Sequence, residues 1–327
     1  MKRPSLFVMV IAVLLTATLL FTGSVLAKTI TAKFGHGNNT SDARHKGALR
    51  FAELVAEKTN GAIEIQVFSD ASLGSDEDMV EQLQLNISQF AAPGVGTISP
   101  LAPDLNCLEM PFLFSSFEQA WAVLDGPIGE RLVESLPSQG IRVLAFWENG
   151  FRNMTNNRRP IEKPEDLQGI KMRVPNWEMS IATFKALGAQ VTPMAWPEVY
   201  LSLQQGTIDG QENPLTGIYN PGLYEVQKYL SITRHQYSPL PLLISERFWQ
   251  SLSPEHKKAV MEAAHEAKTY HRGLIAADDE SLEAELEKRG MVINRPNTEP
   301  FRIKVQSVYE QYGDRFGDIV EEILSYQ

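Results

Sequence analysis

The stretch from Gly169 to Pro214, GIKMRVPNWEMSIATFKALGAQVTPMAWPEVYLSLQQGTIDGQENP, decides the fold reading. Ile170, Met172 and Val174 alternate with Lys171 and Arg173, the period of a half-buried strand, and Pro175 ends regular pairing. Glu178 to Leu187 carries apolar residues at helical spacing and stops at Gly188. Pro197 fits the first position of a further helix, which runs through Val199, Tyr200 and Leu203 to Gly206. Asp209-Gly210 is a tight-turn dipeptide, and Pro214 biases Asn213 towards an extended backbone.

The same grammar holds outside this stretch. Ile30, Ala32 and Phe34 alternate, a helix follows from His45 to Thr59, and Asn60-Gly61 closes it. Ile63, Ile65 and Val67 alternate again. Asp76 precedes a helical stretch with Met79, Val80 and Leu83, and Phe90 to Val95 reads as the next strand. Ile141 to Phe146 is another apolar strand, followed by a turn-rich connection around Gly150. Ser253-Pro254-Glu255 opens a long helix that Gly290 closes. Strands alternating with helices predict an α/β architecture.

The chain begins MKRPSLFVMVIAVLLTATLLFTGSVLA. Lys2 and Arg3, the apolar run Leu6 to Phe21, and Val25-x-Ala27 form the pattern of a secretory signal peptide cleaved after Ala27; an uncleaved anchor is the alternative. About 300 residues remain, room for two lobes. The single cysteine, Cys107, lies in an apolar stretch and reads as a buried small hydrophobe. The formal net charge of −10 argues against nucleic acid or an anionic membrane as partner. An anion would have to be held by a few local arginines.

Three polar residues carry the binding argument. Arg173, at a strand end, suits bidentate carboxylate recognition, although a surface arginine fits the same pattern. Arg152 lies in the turn-rich ENGFRN segment, where ligand loops often sit. Asn213 has an amide that both donates and accepts, or else bonds its own backbone. Trp147, Trp177 and Trp196 cluster around these segments and offer flat faces; core packing is the plainer role for Trp147. Enzyme signatures are absent: no phosphate-binding GxxxxGK[ST], no strand-linked GxGxxG, no GxSxG elbow. The histidines lack metal-ligand spacing. Glu109, Asp209 and Glu212 leave open an exported hydrolase using an Asp/Glu pair, but surface carboxylates are the simpler reading.

The ordered pieces KFGHGNN, LGSDEDMVEQLQ, NGFRNMTNNRRPI, LQGIKMRVPNWE, ALGAQVTPMAWPEVYLSLQQGTIDGQENP and YEVQKYLSITRH, from about Lys33 to His235, resemble the solute-binding proteins of tripartite ATP-independent periplasmic (TRAP) transporters, the DctP-like family. The resemblance implies a two-lobed α/β periplasmic binding fold with mixed sheets and a long helix touching both lobes. It places lobe I at 28–149 plus 239–278 and lobe II at 150–238 plus 279–327. It implies a periplasmic protein that does no chemistry, needs no cofactor or metal, and delivers its solute to TRAP permease membrane subunits driven by an ion gradient.

By the same resemblance Arg173 pairs with the ligand carboxylate, with Arg152 as a second arginine, Asn213 as the amide of the ENP motif and Trp196 as an aromatic wall. The matched pieces also carry His36, Asp76, Asn149 and His235 as candidate contacts. Gly37 and Gly94 stand where sialic-acid-binding members have larger polar side chains, and Trp177 replaces a small residue, which disfavours sialic acid. The two glycines are expected to open space, and the tryptophans to supply walls. A sugar acid such as a uronate leads, with an aromatic or indolic acid or a C4-dicarboxylate as alternatives.

Overall fold

The structure, a computed structural model, describes residues 29–326. The expected signal peptide lies outside these residues. Among the described residues, no helix is long and apolar enough to cross a membrane.

The strands are β1 (Ile30–Gly35), β2 (Ile63–Phe68), β3 (Phe90–Ala91), β4 (Ile141–Asn156), β5 (Lys171–Val174), β6 (Gln190–Pro193), β7 (Gly210–Asn213), β8 (Tyr229–Ser245) and β9 (Val292–Asn294). They form one sheet in the order β2-β1-β3-β8-β4-β7-β5-β6, with β9 beside β8. Parallel pairs flank each side, β1 with β2 and β3, β5 with β6 and β7. Two antiparallel strands, β4 and β8, run through the middle. The alternating strands and helices therefore produced the expected mixed α/β fold.

Two strand expectations are corrected. Ile141 to Phe146 does not end at a loop but continues as β4 to Asn156, because β8 pairs along one edge and β7 along the far part of the other. The register shifts between Val143 and Ala145, Glu148 and Gly150, and Arg152 and Met154. Such bulges twist a long strand and let it bend without losing its ladder. Arg152 thus sits on a paired strand, not on a ligand loop. Conversely, Phe90 to Val95 gives only the two residues of β3. Pro93 and Gly94 interrupt it, and Val95–Ile98 forms a helical turn.

Among the helices, α1 (Ala43–Lys58) is capped by Asp42, whose side chain accepts the Arg44 amide. Helix α2 (Asp76–Gln84) is capped by Ser75 in a reciprocal box with Asp78, so Asp76 is its first residue rather than its cap. Helix α3 (Glu178–Ala186) follows Trp177, and α4 (Leu215–Tyr219) follows Pro214. The long helix α5 (Pro254–Lys288) starts at the Ser253 cap and has 35 residues.

Three apolar clusters fill the molecule. One includes Phe34, Phe51, Phe90 and Trp147 and takes Val260, Ala263 and Ala267 from the first half of α5. A second includes Val199, Leu215 and Leu230 and takes Leu282 and Leu286 from its second half. The long helix is therefore shared between the cores on either side of the crossing strands. The third and largest contains Cys107, buried as expected. Trp147 is fully buried and stacks on His271 of α5, with ring centroids 4.8 Å apart.

Candidate ligand-binding site

Parallel strands present their C-terminal ends to a common crevice. Here β1 ends at Gly35, followed by Gly37 and Asn38, while β5 leads into Pro175 and β7 ends at Asn213. A cavity of ≈ 50 Å³ lies between these ends. Eight of the expected residues line it: Arg173, Arg152, Asn213 and Asn149, with Trp196, Trp177, Asp76 and Gly94. A second cavity of ≈ 300 Å³ lies beside it and shares Asn38 and Trp196 with it. Gly37 lines this second cavity.

The two central arginines differ in their bonding. Arg152, on β4, is held by Glu212, on β7: Nε donates to Oε2 at 2.5 Å, and Nη2 donates to Oε1 at 2.9 Å and to the Glu212 carbonyl at 2.8 Å. His235 Nε2 stands 3.3 Å from the same Oε2. Both partners are essentially fully buried. The neighbouring charge of Arg152 and the His235 bond outweigh burial and hold the Glu212 carboxyl below its usual range. Arg152 is thus a neutralised, structural cation.

Arg173, on β5, is also buried at 3% exposure. Its Nε and Nη2 both donate to the Met194 carbonyl, at 2.9 and 2.6 Å. Among the described residues no carboxylate lies within ion-pairing distance of it. Burial is the main cause that pushes its pKa down, to about 9, which leaves it cationic at neutral pH. A buried charge without a counter-charge is costly unless something supplies one.

Arg44, not singled out from the sequence, completes the polar wall. Its Nη1 is 4.0 Å from Asp76 Oδ2, and its Nη2 donates to Asn149 Oδ1 at 3.4 Å. Burial raises the Asp76 pKa, and Arg44 opposes that rise. Arg44 and Arg152 each face a carboxylate, Asp76 and Glu212, which leaves Arg173 as the cation in excess. Glu109 adds no negative charge at neutral pH. It is fully buried, its carboxyl oxygens have no hydrogen-bond partner among the described residues, and burial pushes its pKa up to about 8.

The aromatic walls behave differently from each other. The Trp196 ring lies 5.8 Å from the Arg173 guanidinium and is only partly buried, so a face remains available. Trp177 does not supply an open wall. Its ring packs over Gly94 and Gly96, its Nε1 donates to Thr97 Oγ1 at 3.1 Å, and Arg152 covers it at 5.2 Å. A Cβ on Gly94 would fall 2.2 Å from Trp177 Cζ2. The expectation that Gly94 opens space is corrected: the indole has taken that space. At Gly37 a Cβ would sit at ordinary contact distance, 3.5 Å from both Asp76 Oδ1 and Trp196 Cδ1, so a methyl group fits there without displacing either.

The remaining candidates are placed as follows. Asn213 donates to Gln211 Oε1 at 2.6 Å and is a strand residue, not a turn residue. Asn149 donates to Ser238 Oγ at 3.3 Å. His36 is buried against His45, with ring nitrogens 3.0 Å apart, and does not line the cavity. His235 lies behind Glu212 and is likewise out of the cavity. Glu109 and Glu212 are not the surface carboxylates that the sequence suggested. Asp209 accepts the Lys171 backbone amide at 2.9 Å and ties β5 to the turn before β7. Among the described residues no cluster of His, Cys, Asp or Glu is suited to a metal ion.

Residues 34–315 match the model of the DctP family, bacterial extracellular solute-binding protein family 7. The chain belongs to that family. It is 37% identical over 272 residues to the 2,3-diketo-L-gulonate-binding periplasmic protein YiaO of Escherichia coli, covering 83% of this chain and 82% of that protein. It is 34% identical to the C4-dicarboxylate-binding periplasmic protein DctP of Rhodobacter capsulatus, covering 78% and 77%. The crystal structure of the sugar acid binding protein DctPAm from Advenella mimigardefordensis in complex with galactonate superposes with a TM-score of 0.88 at 33% identity, covering 91% of this chain and 98% of that one. The family thus contains two-lobed binders of both sugar acids and dicarboxylates, and family membership alone does not choose between them.

Proposed function

We propose that this protein is the periplasmic receptor of a TRAP transporter, that it binds a singly charged sugar acid, and that it passes the acid unchanged to membrane permease subunits. The observation that carries this reading is the contrast between Arg173 and Arg152. Arg152 already has its carboxylate in Glu212; Arg173 has only a backbone carbonyl. A ligand carboxylate on Arg173 removes the excess charge, and each charge-assisted hydrogen bond it forms is worth roughly 1.5–3 kcal/mol. Among the described residues that line the cavity, a second ligand carboxylate finds no free cation, since Arg44 is opposed by Asp76. That balance favours a monoacid over a C4-dicarboxylate. The diketogulonate and galactonate relatives support the same class.

The partly exposed Trp196 face serves the hydroxylated carbon chain, and Asn213 and Asn149 border the same space. Trp177, covered on its other sides, offers no second face for an aromatic acid to stack between. Closure brings the β1 and β5 ends together. We place the lobe boundaries near 149–150 and 238–239, where the β4 register shifts and Gly150 opposes Ser238. Gly150 has φ of 117°, a backbone state open to glycine at little cost.

The test is isothermal titration of the refolded mature chain with glucuronate, galactonate, 2,3-diketogulonate, succinate and indole-3-acetate, alongside mass spectrometry of solute released from protein purified without refolding. Sugar acids binding more tightly than the other two supports the proposal. Succinate or indole-3-acetate binding best, or turnover of any of them, defeats it.

A further inference from the structure

Resting on the sugar-acid reading, we infer that the ≈ 300 Å³ cavity beyond Trp196 is the distal half of the ligand site, and that it selects acids with a long, hydroxylated and uncharged tail. The inner cavity of ≈ 50 Å³ has room for only a few water molecules, each of which needs roughly 10–15 Å³ of such space. Pockets for small organic ligands start at roughly 300 Å³. Arg173 can therefore take the carboxylate and the first carbons, but the rest of a six-carbon acid needs the neighbouring space. Trp196 and Asn38 line both cavities, so a chain anchored at Arg173 reaches the outer one along the indole.

The outer cavity pairs polar groups that can bond hydroxyls with apolar ones, Ala71, Pro197, Pro221 and Leu223, that can meet the C–H faces of a sugar chain. Tyr200 supplies a second aromatic surface, and the polar lining comes from Asn38, Asn39, Asn220 and the carboxylates of Asp42 and Asp70. Asn39 donates to the Asn220 carbonyl at 2.8 Å, and Asn220 donates to Asp42 Oδ2 at 3.0 Å, which fixes the rim. No hydrogen bond within the described residues engages the Asn38 side-chain amide, whose backbone carbonyl accepts from Asp70. Carboxylates accept hydrogen bonds from hydroxyl groups and repel a second carboxylate. The lining contains no lysine or arginine to offset them.

Calorimetry across a chain-length series distinguishes this subsite from the proposed function itself. The wild-type protein is titrated with glycerate, threonate, xylonate, gluconate and the six-carbon diacid glucarate. Affinity is expected to rise at least about tenfold from threonate to gluconate and to fall about tenfold from gluconate to glucarate. Tyr200→Ala is expected to weaken gluconate about tenfold more than threonate, and Asp70→Asn to narrow the gap between gluconate and glucarate. Thermal melts of both variants guard against misfolding. Equal affinity for threonate and gluconate overturns the distal subsite and leaves the sugar-acid reading standing. Glucarate binding as tightly as gluconate overturns the selection by charge. Failure of every aldonate overturns the sugar-acid reading, and this inference with it.

Discussion

The Trp177 indole stands where a side chain on Gly94 would begin: a Cβ there would meet Cζ2 at 2.2 Å and Cη2 at 2.3 Å. Gly96 is as close, with a Cβ position 2.3 Å from Trp177 Cγ. These glycines follow β3, whereas Trp177 precedes α3, so the contact joins the two sides of the cavity. Gly94→Ala is expected to hold those sides apart and to weaken sugar-acid binding by tenfold or more, with a smaller effect on melting temperature. The double variant Gly94→Ala/Trp177→Ala relieves the clash, and a double-mutant cycle by calorimetry is expected to show strong coupling. Additive losses would mean that the packing has no part in closure.

The arginines are expected to separate in stability as well as in binding. Arg173→Ala removes a buried charge that lacks an ion-pair partner, so binding disappears while the melting temperature holds or rises. Arg173→Lys is also a poor binder, because an ammonium lacks the planar fork. Arg152→Ala instead strands Glu212 in the interior and is expected to cost about 3–5 kcal/mol of stability. Denaturant unfolding of the three variants checks this. A stable Arg152→Ala protein would contradict the assigned pairing.

Glu109 gives a pH signature. Its carboxyl ionises at about 8 in the folded protein, against an ordinary 4.5, because burial penalises the charge. The folded state therefore binds this proton more tightly than the unfolded state does. The contribution is fully present below about 4.5 and is lost as pH rises towards about 8. Glu109→Gln cannot ionise, so its stability is expected to exceed that of the wild type at pH 9 and to approach it at pH 5. Urea unfolding at pH 5, 7 and 9 measures the difference. Parallel profiles for the two proteins would rule out this origin.

Trp196→Ala tests stacking. The ring is partly exposed and only borders the apolar cluster of Val199, Leu215 and Leu230, so its loss is expected to weaken gluconate about tenfold and to lower the melting temperature only slightly. An equal loss of stability and affinity would make Trp196 a packing residue.

How far the sequence could be read depended on whether a property was local. Alternation placed Arg173 on a strand and its side chain opposite Met172, and both hold because a two-residue period is a property of the strand itself. Proline and glycine located the ends of α3 and α5 for the same reason. The partners of those residues were another matter. Glu212 sits in a short polar segment that looks solvated, and only the pairing of β7 with β4 brings it to Arg152. The Asn-rich run around Arg152 has loop composition, yet two neighbouring strands draw it into the sheet. Gly94 shows the same limit: a missing side chain is visible in the sequence, but not which distant ring fills the gap. Arg44 was overlooked because a helix-start arginine carries no local mark of facing inward.

The sheet order has a further consequence for how the chain comes into being. Phe90 of β3 pairs with Ile244 of β8, so one edge of β3 stays without its partner until most of the polypeptide exists. The apolar layer around Phe34, Phe51 and Phe90 also waits for Val260 and Ala263 of α5. The N-terminal part thus has no complete sheet and no complete core to settle into while the remainder is still being made. For a protein proposed to work in the periplasm, that late completion is an asset: the last elements to emerge are the ones that lock the first.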